Sequence, residues 1–125
     1  MQRKGINSPN LSSPVGPFSH MVDAGAFIYL SGQVAQDPET GKLVEGDVAA
    51  QTTRIFANIQ VALKTVGRDL GHVVKTTVFL TDMADFAEMN AVYASHFDAP
   101  YPARTTVAVK TLPLGARVEI ECVAQ

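Results

Sequence analysis

The sequence is poor in residues that build covalently or metal-braced scaffolds: among 125 residues there is one cysteine, Cys122, and no tryptophan. A lone thiol forms no internal disulfide and cannot complete a zinc site. His20, His72 and His96 share no metal-ligand spacing, so no metal is expected and each histidine reads as a surface or capping residue. An excess of one charge is missing too. Ten Lys and Arg against twelve Asp and Glu leave a net charge of −2, which gives a polyanion no general attraction and argues against a nucleic-acid partner. No apolar run approaches the roughly 20 residues that span a bilayer. Met1–Asn10 is polar with no hydrophobic stretch behind it, so a cytoplasmic protein without membrane attachment is expected. The glycines at 16, 25, 32, 41 and 46 match neither a Walker loop nor a dinucleotide fingerprint, and no cofactor is expected. Ser31-Gly32 lacks the leading glycine of a nucleophile elbow, which excludes the usual serine hydrolase signature.

What is present suits one globular domain over residues 1–125. The chain is 46% hydrophobic and 18% charged, and a chain of this size hides roughly two thirds of its extended surface on folding. Segment 8–17, rich in Pro, Gly and Ser, reads as an ordered lead-in. Residues 26–33 are aromatic and β-branched and are followed by a Pro-Glu-Thr-Gly turn at 38–41, predicting a strand and turn, with a shorter strand around 18–22 as partner. Asp47 can cap a helix reaching about Val66, since Ile55, Ile59, Leu63 and Val66 recur at helical spacing and Gly67 stops it. Residues 73–80 have strand composition. Asp82 then opens a second helix with the apolar stripe Phe86, Met89, Tyr93 and Phe97, ended by Pro100 and Pro102. Strands at 103–109 and 116–124 close the chain, joined across Leu-Pro-Leu-Gly at 112–115. The order predicts an α+β fold.

Period-two alternation assigns faces. In 73–80 it sets Val74, Val78 and Leu80 against Val73 and Phe79, so both faces are apolar. Two helices cover one face only, and a second copy of the chain is the expected cover for the other. Arg104, Thr106 and Ala108 fall opposite Thr105, Val107 and Val109. Arg117, Glu119 and Glu121 fall opposite Val118, Ile120 and Cys122. On this reading polar groups line the helix-free face, where Arg104 and Glu119 are either a structural ion pair or groups that meet a ligand.

Six blocks in order carry a resemblance: Gly16-Pro17-Phe18-Ser19; Tyr29-Leu30-Ser31-Gly32-Gln33; Val74 to Asp82; Phe86 to Asn90 with Tyr93; Tyr101-Pro102-Ala103-Arg104; and Val118-Glu119-Ile120-Glu121. Nearly end to end, the chain resembles the RidA (reactive intermediate deaminase A, YjgF-type, endoribonuclease L-PSP) family. The resemblance implies a chorismate-mutase-like fold, a six-stranded mixed sheet with two helices on one face. It implies a homotrimer with sites between subunits, and hydrolysis of small 2-imino acids such as 2-iminobutanoate and 2-iminopropanoate to 2-oxo acids and ammonia.

By position, the resemblance makes Arg104 the substrate-binding arginine, whose planar fork suits a carboxylate. Glu119 becomes the acid that places and helps deprotonate the attacking water, and the backbone carbonyl of Thr106 an acceptor for the imine nitrogen. Ser31 and Gly32 would border the pocket, with Asn90 and Tyr93 shaping it. Two departures stand out: Phe18 where the family often has Tyr, which removes a hydroxyl, and Thr106 where Cys is common, with Cys122 on the opposite face as no substitute. The alternatives left open are a specialised catabolic deaminase with an aminomuconate- or aminoacrylate-like substrate, and a ligand-binding, holdase-type or ribonuclease-like protein.

Overall fold

Helix α1, Val48–Thr65, begins where the Asp47 carboxylate accepts the Ala50 N–H at 2.9 Å and ends before Gly67, whose φ of 70° reverses the chain. Its inward stripe, Ile55, Phe56, Ile59 and Leu63, is at most 2% exposed. Each such side chain contributes roughly 1.5–3 kcal/mol by leaving water. Helix α2, Phe86–His96, follows a short helical turn at Met83–Asp85 that Asp82 caps. The two helices meet through aromatic rings: Phe56 packs edge-on to Tyr93 and to Phe97, each at 5.6 Å.

The computed structural model describes residues 2–125. Six strands, β1 (Lys4–Ile6), β2 (Met21–Asp23), β3 (Ile28–Gln33), β4 (Val73–Leu80), β5 (Ala103–Ala108) and β6 (Val118–Ala124), form one sheet in the order β1-β2-β3-β6-β4-β5. The β4–β5 pair is parallel and the others are antiparallel. The architecture is therefore α+β, a six-stranded mixed sheet with two helices on one face, as expected. No helix among the described residues is long and apolar enough to cross a membrane.

Four details differ from the sequence reading. Strand β1 falls in a stretch read only as polar: it is an exposed edge of three residues, too short to show an alternation. Strands β5 and β6 are not neighbours, because β4 lies between them. In β4 a register shift between Val73 and Lys75 turns Val73 inward, so it joins the core beside Val78 and Leu80 instead of sharing the open face with Phe79. His20 is neither a surface nor a capping residue. It is buried, its Nδ1 accepts the Ser8 N–H at 2.9 Å and its Nε2–H donates to the Ser12 carbonyl at 2.8 Å, which ties the lead-in segment to β2. His72 does cap, in a reciprocal pair with Asp69, while His96 stacks on Phe56 at 4.4 Å.

Candidate functional site

Between Leu30, opposite Cys122, and Gln33, opposite Ile120, strand β3 carries one residue more than β6. Ser31 and Gly32 form a bulge there, a device that re-aims neighbouring side chains. The Ser31 hydroxyl donates to the Ser19 carbonyl at 2.7 Å and its N–H donates to the His20 carbonyl at 2.9 Å, so the bulge is pinned through the backbone of the lead-in. A Cβ at Gly32 would collide with the Glu119 carboxylate, so glycine is what lets that carboxylate lie against the main chain. Glu119 is half-buried, and burial, with a smaller contribution from the Glu121 charge, raises its pKa above the ordinary carboxylate value. It opens into a cleft of about 560 Å³ whose lining includes Phe18, Ser31, Gly32, Val15, Pro113 and Leu114.

Arg104 sits elsewhere. Strand β5 is the sheet's outer strand, and Arg104 registers with Thr76 and Thr106 with Val78, two residues of the helix-covered face. From there the guanidinium runs along α2. One of its N–H groups donates to Asn90 Oδ1 at 2.7 Å, and its carbon lies 4.6 Å from the centre of the Tyr93 ring and 5.6 Å from that of Phe86. Such a cation over an aromatic face is held electrostatically. The Tyr93 ring is itself fixed: it is buried, and its hydroxyl shares a 2.7 Å hydrogen bond with Thr76. Burial raises the phenol pKa, so it stays neutral. Among the described residues Arg104 has no carboxylate partner; the ion pairs are Asp69–His72 and Asp85–Arg117. Two positions along β5, the Thr106 hydroxyl is buried without a hydrogen-bond partner among the described residues.

The shared face expected for Arg104 and Glu119 is therefore wrong. Glu119 registers with Phe79, on the open face, while Arg104 registers with Thr76, on the covered one. Alternation within each strand is as read; the relative phase of the two strands was not contained in it, since β4 intervenes. An internal Arg104–Glu119 ion pair is excluded for the same reason. Cys122 keeps the helix-covered side it was read on, but Arg104 and Thr106 share that side with it instead of facing away. There burial pushes its thiol up to about 12, which leaves it unreactive.

The candidate residues thus form two groups. Phe18, Ser31, Gly32 and Glu119 line one cleft. Arg104, Asn90 and Tyr93 are in mutual contact along the outer edge formed by β5 and α2, with Thr106 two positions further along β5. Thr76 and Phe86, which brace the second group, were not read as site residues; Phe86 was read only as part of the apolar stripe of the second helix and of a family block. Thr76 carried a signal, as a polar residue at an inward position of β4.

Comparison with known proteins adds the lineage. The endoribonuclease L-PSP family model matches residues 8–125. Protein DfrA of Myxococcus xanthus is 46% identical over 99% of this chain and 96% of its own, and the mouse 2-iminobutanoate/2-iminopropanoate deaminase is 43% identical over 98% and 90%. The crystal structure of Escherichia coli TdcF with bound serine superposes with a TM-score of 0.90 at 36% identity, covering 97% of both chains. The chain belongs to the endoribonuclease L-PSP (RidA) family. The six sequence blocks had pointed to it, and relatives of this L-PSP family protein carry deaminase names as well as names that state no reaction.

In chemical terms this L-PSP family member offers a cation with spare donors, fixed on a neutral amide and two aromatic rings. It also offers a carboxylate poised to hold or release a proton beside an open cleft. Within one chain the two stand on opposite faces of the sheet, two strand spacings apart, or about 10 Å in the hydrogen-bonding direction alone.

Proposed function

We propose that this protein is a 2-imino acid deaminase that acts as a homotrimer, with each site assembled from the Arg104 group of one subunit and the Glu119 cleft of the next. The observation that carries this reading is the state of Arg104. Its guanidinium is braced by Asn90, Tyr93 and Phe86 yet paired with no carboxylate of the described chain. A cation so placed is matched to an external anion, and its planar fork suits the carboxylate of a 2-imino acid. The mouse relative's deaminase name and the amino acid bound to TdcF point to the same chemical class.

The reaction asks for little beyond positioning. With the substrate carboxylate on Arg104, the protonated imine carbon is electrophilic, and the Thr106 carbonyl would accept the iminium N–H. Glu119 takes a proton from water as the water oxygen bonds to C2 and the C=N pair moves to nitrogen. It then returns the proton to the nitrogen of the resulting carbinolamine. Ammonia leaves as the C2 hydroxyl gives its proton back to Glu119 and becomes the 2-oxo group, and Glu119 passes that proton to the ammonia, so water and protonated imino acid give 2-oxo acid and ammonium. The raised pKa of Glu119 fits both halves of this shuttle. The test is to generate 2-iminobutanoate with a threonine dehydratase and follow 2-oxobutanoate. An Arg104→Ala variant as fast as the parent would remove the mechanism.

A further inference from the structure

At Leu114 two unfavourable features coincide. Among the described residues it is the non-glycine residue with a left-handed backbone, φ 61° and ψ 16°, and it is 60% exposed. The turn it occupies closes with the Ala116 N–H on the Pro113 carbonyl at 3.1 Å and continues through Gly115 at φ 72°. Glycine or asparagine would meet the backbone demand with less strain, and the side chain gains no place in the core. The leucine is thus explained neither by the turn nor by packing within the chain. A strained position that persists in this way is a pointer to function.

Its location says which function. Leu114 lines the cleft into which Glu119 opens, together with Phe18, 52% exposed, and Val15, 91% exposed. Pro14 and Pro113 complete an apolar rim around the carboxylate. The cleft, at about 560 Å³, falls in the range of about 300–1,000 Å³ that accommodates ligands well beyond four carbons. The side chains of Val15, Phe18, Leu114 and the two prolines carry no hydrogen-bond donor, while the polar side chains of the same cleft, such as Ser12, Ser13 and Gln33, lie elsewhere in its lining.

We propose that Leu114 is a specificity-determining residue that contacts the side chain of the substrate, and that the favoured substrates are 2-imino acids with apolar side chains the size of leucine's or phenylalanine's. This rests on the deaminase reading and deepens it. The left-handed turn leaves the leucine exposed in the same cleft lining as Phe18 and Val15. The substrate's side chain completes the burial that Leu114 lacks in the free chain.

The experiment uses the full-length protein and imines released in situ from alanine, leucine and phenylalanine by an amino acid oxidase, with kcat/KM measured for each. The parent is expected to favour the leucine-derived over the alanine-derived imine by about tenfold or more, the discrimination that even one methylene gives in an apolar pocket. Leu114→Gly, whose backbone suits the turn, is expected to melt no lower than the parent, to keep its oligomeric mass, and to bring the three substrates within about threefold of one another. The flattening is expected to come from slower turnover of the leucine- and phenylalanine-derived imines. A flat series in the parent overturns the proposal. So does a Leu114→Gly variant that slows all three substrates equally or changes its oligomeric mass, because the side chain then serves general integrity or subunit packing. If the parent turns over none of the imines, the deaminase reading falls and takes this proposal with it, whereas turnover with a flat series overturns the role of Leu114 alone.

Discussion

Arg104 and Glu119 stand on opposite faces of the same sheet with β4 between them, Arg104 in register with Thr76 and Glu119 with Phe79. A small acid held by one cannot touch the other within a single chain. Each is nonetheless prepared: the cation by a neutral acceptor and two rings, the carboxylate by a bulge and a glycine. On the proposed reading, two prepared halves facing different directions complete each other across a boundary between copies. The exposed outer strand β5 and the open face with Tyr29, Phe79 and Val107 are surface that such a boundary would use.

Subunit complementation follows from this arrangement. Arg104→Ala and Glu119→Gln homo-oligomers are each expected to be nearly inactive, while oligomers reassembled from a mixture of the two regain part of the parent activity. In the mixture an intact Arg104 from one chain meets an intact Glu119 from another. Activity in the mixture no higher than the mean of the two separate variants would show that both groups act from one chain or that one of them is dispensable.

Replacing Arg104 tests geometry as well as charge. Each charge-assisted hydrogen bond to the substrate carboxylate contributes on the order of 1.5–3 kcal/mol, so Arg104→Ala is expected to lower kcat/KM by at least about tenfold per bond lost. Arg104→Lys keeps the charge but not the planar fork and is expected to recover only a minor part. Asn90→Ala, which frees the guanidinium without removing it, is expected to raise KM more than it lowers kcat. Steady-state kinetics on the three variants separates these effects.

Gly32→Ala probes the carboxylate's seat. The added methyl meets the far end of the Glu119 side chain and no backbone, so the fold absorbs it by displacing the carboxylate. The expected result is a melting temperature within a few degrees of the parent together with an activity loss near that of Glu119→Gln. A variant that melts early, or one that keeps full activity, would show that the contact does not position Glu119.

Much of the fold was legible because its signals are local. Asp47 and Gly67 bracket α1, the Ile55–Ile59–Leu63 stripe fixes its inward side, and the β-branched run 73–80 marks the central strand. The six family blocks likewise contained the residues now found in two groups, Thr106 excepted. What escaped was non-local. The phase between β5 and β6 depends on β4 lying between them, and no alternation pattern carries that information. The inward turn of Val73 depends on a one-residue register shift, and the burial of His20 on a lead-in segment folding back over β2. The split of the candidate residues between two sheet faces was hidden for the same reason, since sequence periodicity assigns faces strand by strand.

The titration of Glu119 gives the last prediction, with its sign fixed by burial. Because desolvation raises the folded-state pKa above the ordinary value near 4.5, the folded chain binds this proton more tightly than the unfolded chain does. The associated stability is fully present below the unfolded value and is lost as pH rises through the folded value. Glu119→Gln, which keeps shape and removes the charge, escapes that loss. The variant is therefore expected to match the parent in denaturant midpoint at the acid end of this window and to exceed it above the window. Activity runs the other way. As the base that takes a proton from water, Glu119 must be ionised, so the parent's kcat/KM is expected to rise with pH through the same raised value. The variant is expected to lose that limb together with about 10²–10⁴ in rate, the usual contribution of a positioned acid or base. Denaturation and pH–rate profiles of the two proteins, taken side by side, should show stability falling over the same interval in which activity climbs. A parent whose rate is flat across that interval would mean that another group handles the proton.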